Sequence, residues 1–105
     1  DDQGATWARV QVAPKPGNGF NDMADKNHLW IDTKKGSPYE GYLYDSWTDF
    51  GGTHDNQVVF KRSTDDGLTW DEKISLSDAV NAGSHCQGVN LSSGPNGEVY
   101  AAYAV

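Results

Sequence analysis

Apolar and aromatic residues run along this chain in short alternating stretches, such as Gln57-Val-Val-Phe-Lys-Arg62 and Gly97-Glu-Val-Tyr-Ala-Ala-Tyr103, set apart by clusters of Gly, Pro, Asn, Asp and Ser. Alternation suits strands with one covered face, whereas apolar positions at helical spacing are hard to find. The pattern predicts an all-β fold of six or seven short strands, near residues 7–13, 28–33, 42–49, 57–63, 73–77, 87–92 and 98–105.

Two internal repeats order these strands. Asp2-Gln-Gly-Ala-Thr-Trp7 reproduces the second part of Ser63-Thr-Asp-Asp-Gly-Leu-Thr-Trp70, so that Trp7 and Trp70 stand 63 residues apart. Gly41-Tyr-Leu-Tyr-Asp-Ser-Trp47 is matched by Gly97-Glu-Val-Tyr-Ala-Ala-Tyr103, with Tyr44 and Tyr100, and Trp47 and Tyr103, each 56 apart. A period of about 55 to 65 residues holding four short strands is that of a β-propeller blade. With strands lettered A to D from the axis outward, the chain reads as a β-propeller fragment: strand D of one blade (1–19), one full four-stranded blade (20–80) and strands A-B of the next (81–105). A closed propeller needs at least about four blades. The expected partners are therefore the remaining blades of a longer parent or other copies of the chain. The start at Asp1, without an initiator Met or signal peptide, agrees with a processed, excised or partial chain.

Composition adds exclusions. With 105 residues of which 36% are hydrophobic, any core built by the chain alone is thin. The net charge of −7 argues against nucleic acid and anionic membranes as partners. Cys86 is the single cysteine, so an internal disulfide and a paired-cysteine zinc site are excluded. No apolar run approaches the roughly 20 residues of a membrane helix.

The Ser63–Trp70 segment falls between expected strands C and D, where it closes a hairpin. Asp65 suits a carboxylate that accepts backbone N–H groups a few residues on, Gly67 suits positive φ, and Ser63 and Thr69 suit the remaining backbone groups, while Trp70 folds over the turn. These roles are structural, not catalytic. The same roles are expected of Asp2, Gly4, Thr6 and Trp7.

With these boxes and the segments Trp30-Ile-Asp32, Tyr44-Asp-Ser-Trp-Thr-Asp-Phe50 and Gly94-Pro-Asn-Gly-Glu-Val-Tyr100, the chain resembles the Asp-box (BNR) repeat proteins of the sialidase superfamily along essentially its whole length. The resemblance implies a secreted or cell-surface propeller, with Asp boxes at C–D turns, that acts on or binds glycans. An exo-glycosidase of sialidase type is implied where the parent is catalytic. The alternatives are a non-catalytic scaffold for carbohydrate or protein binding or adhesion, and a self-assembling partial propeller. Sialidases use an arginine triad, a Phe/Tyr-Arg-Ile-Pro motif, a Tyr/Glu nucleophilic pair and an Asp acid/base. This chain has no Arg-Ile-Pro, and Arg9 and Arg62 fall on expected D and C strands. No catalytic residue carries over.

The resemblance places ligands on the face opposite the boxes, which the D–A and B–C connections reach. Candidate ligand-binding residues there are Asp25, Lys26, Asp49, His54, His85 and Gln87, with Asp22, His28 and Asp55 beside them. Asp25 and Asp49 are suited to binding sugar hydroxyls or to serving as an acid/base pair. The competing reading pairs Asp25 with Lys26 as a structural tie. His28, His54 and His85 lie in separate loops without metal-ligand spacing. No cofactor is expected; calcium on loop carboxylates and carbonyls suits the donors better than a transition metal, although Asp1, Asp2, Asp65 and Asp66 are accounted for as turn residues. Trp30, Tyr44, Trp47, Trp70 and Tyr103 are assigned to packing between blades. The sequon Asn90-Leu-Ser92 falls on a strand, where a glycan is not expected to fit.

Overall fold

The computed structural model describes residues 3–13, 23–80 and 84–105. Six strands follow in chain order: β1 (Met23–Ile31), β2 (Leu43–Phe50), β3 (Gln57–Ser63), β4 (Ile74–Ser75), β5 (Gln87–Ser93) and β6 (Val99–Ala104), with a 3-10 turn at Gly52–His54. β1 to β4 form an antiparallel sheet in sequential order, and β5 and β6 form a second antiparallel pair. The chain is all-β.

Two expectations are corrected. Residues 7–13, expected as a strand, form none. No described strand pairs with them, and a strand gains stability only through pairing. β1 starts at Met23 and not near residue 28, so Asp25, Lys26 and His28 belong to the strand and not to a loop before it. Beyond the strand's end at Ile31, Asp32 still donates its N–H to Tyr42 O (3.0 Å) and its carbonyl accepts from Gly41 N (2.8 Å) as the chain enters a turn. The buried Asp32 carboxylate accepts from Lys34 N (2.9 Å) and the Ser37 hydroxyl (2.6 Å).

The hairpins β1–β2 and β5–β6 are built alike. In the first, the register shifts between Asp25, opposite Thr48, and His28, opposite Ser46; in the second it shifts between Gln87, opposite Ala104, and Asn90, opposite Ala102. Asp25 and Gln87 are 62 residues apart, whereas Thr48 and Ala104 are 56 apart. The shorter connection of the second hairpin, residues 94–98 against 32–42, absorbs the difference. Each bulge has a left-handed residue at the same place, Lys26 (φ 49°) in β1 and Gly88 (φ 70°) in β5. A bulge residue in this conformation is how a strand takes up one extra position.

The β5–β6 pair lies on the sheet face that carries Tyr44 and Val58. These two, with Cys86, Val89 and Leu91, form the buried core, and Trp30, Phe60, Leu76 and Tyr103 pack at its margin. Polar bonds cross the same interface: Thr48 Oγ1 donates to Cys86 O (2.8 Å), Trp30 Nε1 to Ser93 Oγ (3.1 Å) and Tyr103 OH to Leu76 O (3.1 Å). The opposite face carries the buried Trp47 and Val59, so β2 is covered on both sides.

Candidate functional site

The Ser63–Trp70 corner is held by side chains on its own backbone. Asp65 Oδ1 accepts from Thr69 N (2.8 Å) and the Ser63 hydroxyl (2.8 Å), and Asp65 Oδ2 accepts from the Thr69 hydroxyl (2.6 Å). Ser63 Oγ accepts from Gly67 N (2.9 Å), and Trp70 Nε1 donates to Gly67 O (3.2 Å). The Thr69 hydroxyl first, then Thr69 N–H and the Ser63 hydroxyl, hold the Asp65 carboxyl below its ordinary range. Each Asp65 oxygen is thus occupied within the turn. The backbone is left-handed at Asp66 (φ 59°) and Gly67 (φ 84°), and at Gln3 (φ 56°) and Gly4 (φ 87°) 63 residues earlier. There Trp7 Nε1 donates to Gly4 O (2.8 Å), the counterpart of the Trp70 bond. Trp7 is 84% exposed, while Trp70 is half-buried. Asp2 lies outside the described residues, and Thr6 is exposed beside Trp7.

At the other end of the sheet lie the start of β1, the end of β2, the 51–56 connection and the start of β5. Met23 stands opposite Phe50 and Asp25 opposite Thr48. The 84–86 segment is joined to the connection by the bond from Cys86 N to Asn56 O (3.1 Å), and the His85 ring lies 6.4 Å from the Phe50 ring. The connection is braced internally, with Asp55 Oδ1 accepting from Gly51 N (2.7 Å) and His54 Nδ1 meeting Gln57 Oε1 (3.0 Å).

The sequence candidates are partly gathered here. Asp25 and Gln87 are half-buried on β1 and β5, Lys26 is exposed on the bulge, His85 is exposed, and His54 is half-buried in the connection. Asp22 lies outside the described residues. Asp49 is turned away: it stands opposite Ala24, one position on from the Asp25–Thr48 pair, and strand alternation puts it on the other face. There its carboxylate pairs with Lys73 and accepts from Trp47 Nε1 (3.3 Å). Asp25 and Asp49 therefore do not flank one ligand, and the acid/base pairing expected of them is corrected. The Asp25–Lys26 tie is also absent; the described ion pairs are Lys73–Asp49 and Arg62–Asp71 (2.6 Å). Among the described residues, no group of three or more His, Cys, Asp or Glu is placed to hold a metal ion.

Two residues escaped the sequence reading. Lys73 was hidden because its partner lies 24 positions away. Asp45 is buried beside Asn27 and Lys61, its Oδ1 without a hydrogen-bond partner, and burial pushes its carboxyl up against the opposing pull of Asn27, the Ser46 N–H and His28. Its signal was visible: a carboxylate at the alternating position between Leu43 and Trp47. Elsewhere, a groove of about 290 Å³ is lined by Phe60, Arg62, Asp71, Glu72 and Ile74.

Compared with known proteins, the chain matches no family model, no curated protein and no solved structure.

Proposed function

We propose that this chain is part of a secreted or cell-surface propeller of the Asp-box type and that it contributes to binding glycans. The observation that carries the reading is the doubled corner. Gln3, Gly4 and Trp7 repeat the backbone and the indole bond of Asp66, Gly67 and Trp70 at a step of 63, close to the 62-residue step between the β1 and β5 bulges. A repeat in both corner and hairpin is what stacked blades require.

The binding end in this reading is the rim of Asp25, Lys26, His54, His85 and Gln87 around Phe50. It offers donors, acceptors and one aromatic face, the combination that suits a hydroxyl-rich ring. Binding is favoured over turnover because Asp25 and Asp49 lie on opposite faces of the sheet. Where the parent is a sialidase-like hydrolase, its arginines and nucleophile belong to other blades.

Saturation-transfer NMR of the chain with sialyllactose and with lactose tests this. Transfer to sugar protons is expected, and is expected to be lost in the Asp25→Asn, His85→Ala double variant. Absence of transfer from both sugars, or unchanged transfer in the variant, rejects the site. The coding sequence on either side tests the wider reading: Arg-Ile-Pro and two further inward arginines favour a sialidase, and their absence sinks that assignment.

A further inference from the structure

We propose that Thr48 is the positioning residue of the rim: its buried hydroxyl, by holding the Cys86 carbonyl, fixes His85 and Gln87 in place against Asp25 and Phe50. The rim is made of two parts that the chain does not join locally. Asp25 and Lys26 on β1, Phe50 at the end of β2 and His54 in the connection belong to the first sheet, whereas His85 and Gln87 flank Cys86 at the entry to β5. The Cys86 backbone brings the second part to the first. Its N–H donates to Asn56 O (3.1 Å) and its carbonyl accepts from Thr48 Oγ1 (2.8 Å).

Both bonds start from one place on β2. Thr48 stands opposite Asp25 on β1 and opposite Val58 on β3, so the residue paired with Asp25 is the one that grips the carbonyl between His85 and Gln87. Asn56, left-handed at φ 63°, returns the connection to β2 through its own N–H on Asp49 O (2.8 Å), one position from Thr48. The Cys86 side chain is packed in the core with Tyr44, Val58, Val89 and Leu91, which leaves exposed His85 and half-buried Gln87 on either side of it at the rim. Among the described residues, the side chains of Asp25, His85 and Gln87 make no hydrogen bond, so each is open to a ligand.

Packing does not call for the hydroxyl. Thr48 is fully buried on a strand paired on both sides, where valine has nearly the same shape, an equal preference for strands and no polar atom to bury. A hydroxyl there is accounted for by the acceptor it reaches, and that acceptor lies in the segment leading into the other sheet. Without it the Cys86 carbonyl is released while the core still holds the Cys86 side chain, so the 84–87 segment keeps its place and loses its orientation. The proposal rests on the glycan reading only for what the rim receives.

NMR of the whole chain, as wild type, Thr48→Val and Thr48→Ser, is the test. Wild type and Thr48→Ser are expected to show a nuclear Overhauser contact between the His85 and Phe50 rings, and Thr48→Val to lose it while the contact between the Tyr44 and Phe60 rings persists. Titrated with sialyllactose and with lactose, Thr48→Val is expected to bind about fivefold more weakly than wild type, the equivalent of one net hydrogen bond, with Thr48→Ser restoring the affinity. A His85–Phe50 contact that is missing in wild type or unchanged in Thr48→Val, or a Thr48→Ser variant that behaves as Thr48→Val does, overturns the proposal. Loss of the Tyr44–Phe60 contact in Thr48→Val also overturns it, by showing that Thr48 serves the core. Equal sugar binding by Thr48→Val and wild type rejects the positioning role alone; a wild type that binds neither sugar, with the ring contact still following the hydroxyl, rejects the glycan site alone.

Discussion

His28 Nδ1 on β1 accepts a hydrogen bond from the backbone N–H of Leu91 on β5, 2.9 Å away and 63 residues further along the chain. Two positions on, Trp30 Nε1 donates to Ser93 Oγ at the same separation. β1 and β5 therefore run side by side at the spacing of the repeat, and the histidine holds the second hairpin to the first sheet. His28→Leu leaves the Leu91 N–H beside a buried side chain with no acceptor, a loss of about 1–3 kcal/mol. His28→Asn, whose Oδ1 reaches the position of Nδ1, is expected to keep most of it. Urea unfolding of both variants checks this, and equal losses would argue against the bond.

Asp65 gives a pH signature. Its folded carboxyl is held down by the Thr69 hydroxyl, then Thr69 N–H and the Ser63 hydroxyl, so its stabilising effect is present above the unfolded carboxylate value and is lost as pH falls through the depressed folded one. Asp65→Asn should lower the urea midpoint at neutral pH, and the gap to wild type should close in acid. A gap that stays constant with pH would show that the charge is not what the turn uses.

Asp45 behaves in the opposite sense. Burial raises its folded value above the unfolded one, so folding is favoured by protonation and the penalty is full at pH above the raised value, shrinking as pH falls through it. Asp45→Asn removes a charge whose Oδ1 has no partner and is expected to stabilise the chain by about 1 kcal/mol at pH 7, with the gain fading in acid. Thermal melts of the variant across pH measure it; destabilisation at neutral pH would mean that Asp45 has a partner in solution.

The Lys73–Asp49 pair predicts an asymmetry. Lys73→Met strands a carboxylate that is only 9% exposed, with an expected loss of roughly 2 kcal/mol. Asp49→Asn keeps an acceptor for Trp47 Nε1 and should cost less. Denaturant midpoints separate the two, and the reverse order would contradict the pairing.

The matched bulges differ in their residues. Gly88 has φ 70° and open space around its missing Cβ, so Gly88→Ala costs only backbone strain, about 1–2 kcal/mol. Lys26→Gly relieves the same strain at φ 49° in β1 and should leave stability within about 1 kcal/mol of wild type, the relief offset by a looser unfolded chain. Equal losses in both variants would indicate that the Lys26 side chain itself is needed.

What the sequence by itself determined is what eight or fewer neighbouring residues can decide. Alternation marked β2, β3, β5 and β6 to within about a residue, and the Ser63–Trp70 corner was readable because Ser63, Asp65 and Thr69 bond to backbone no more than four positions away. Only the tertiary structure decided the rest. The β1 bulge was invisible because Lys26, unlike Gly88, carries no mark of a left-handed backbone. Strand alternation then separated Asp25 from Asp49, and a distant Lys73 claimed the second of them. Residues 8–13 have the pattern of a strand, yet a strand is completed by the edge it meets, and within the described residues Ala8–Ala13 meets none. A turn closes on itself, whereas a strand, a buried carboxylate or a binding rim depends on which remote segment arrives beside it.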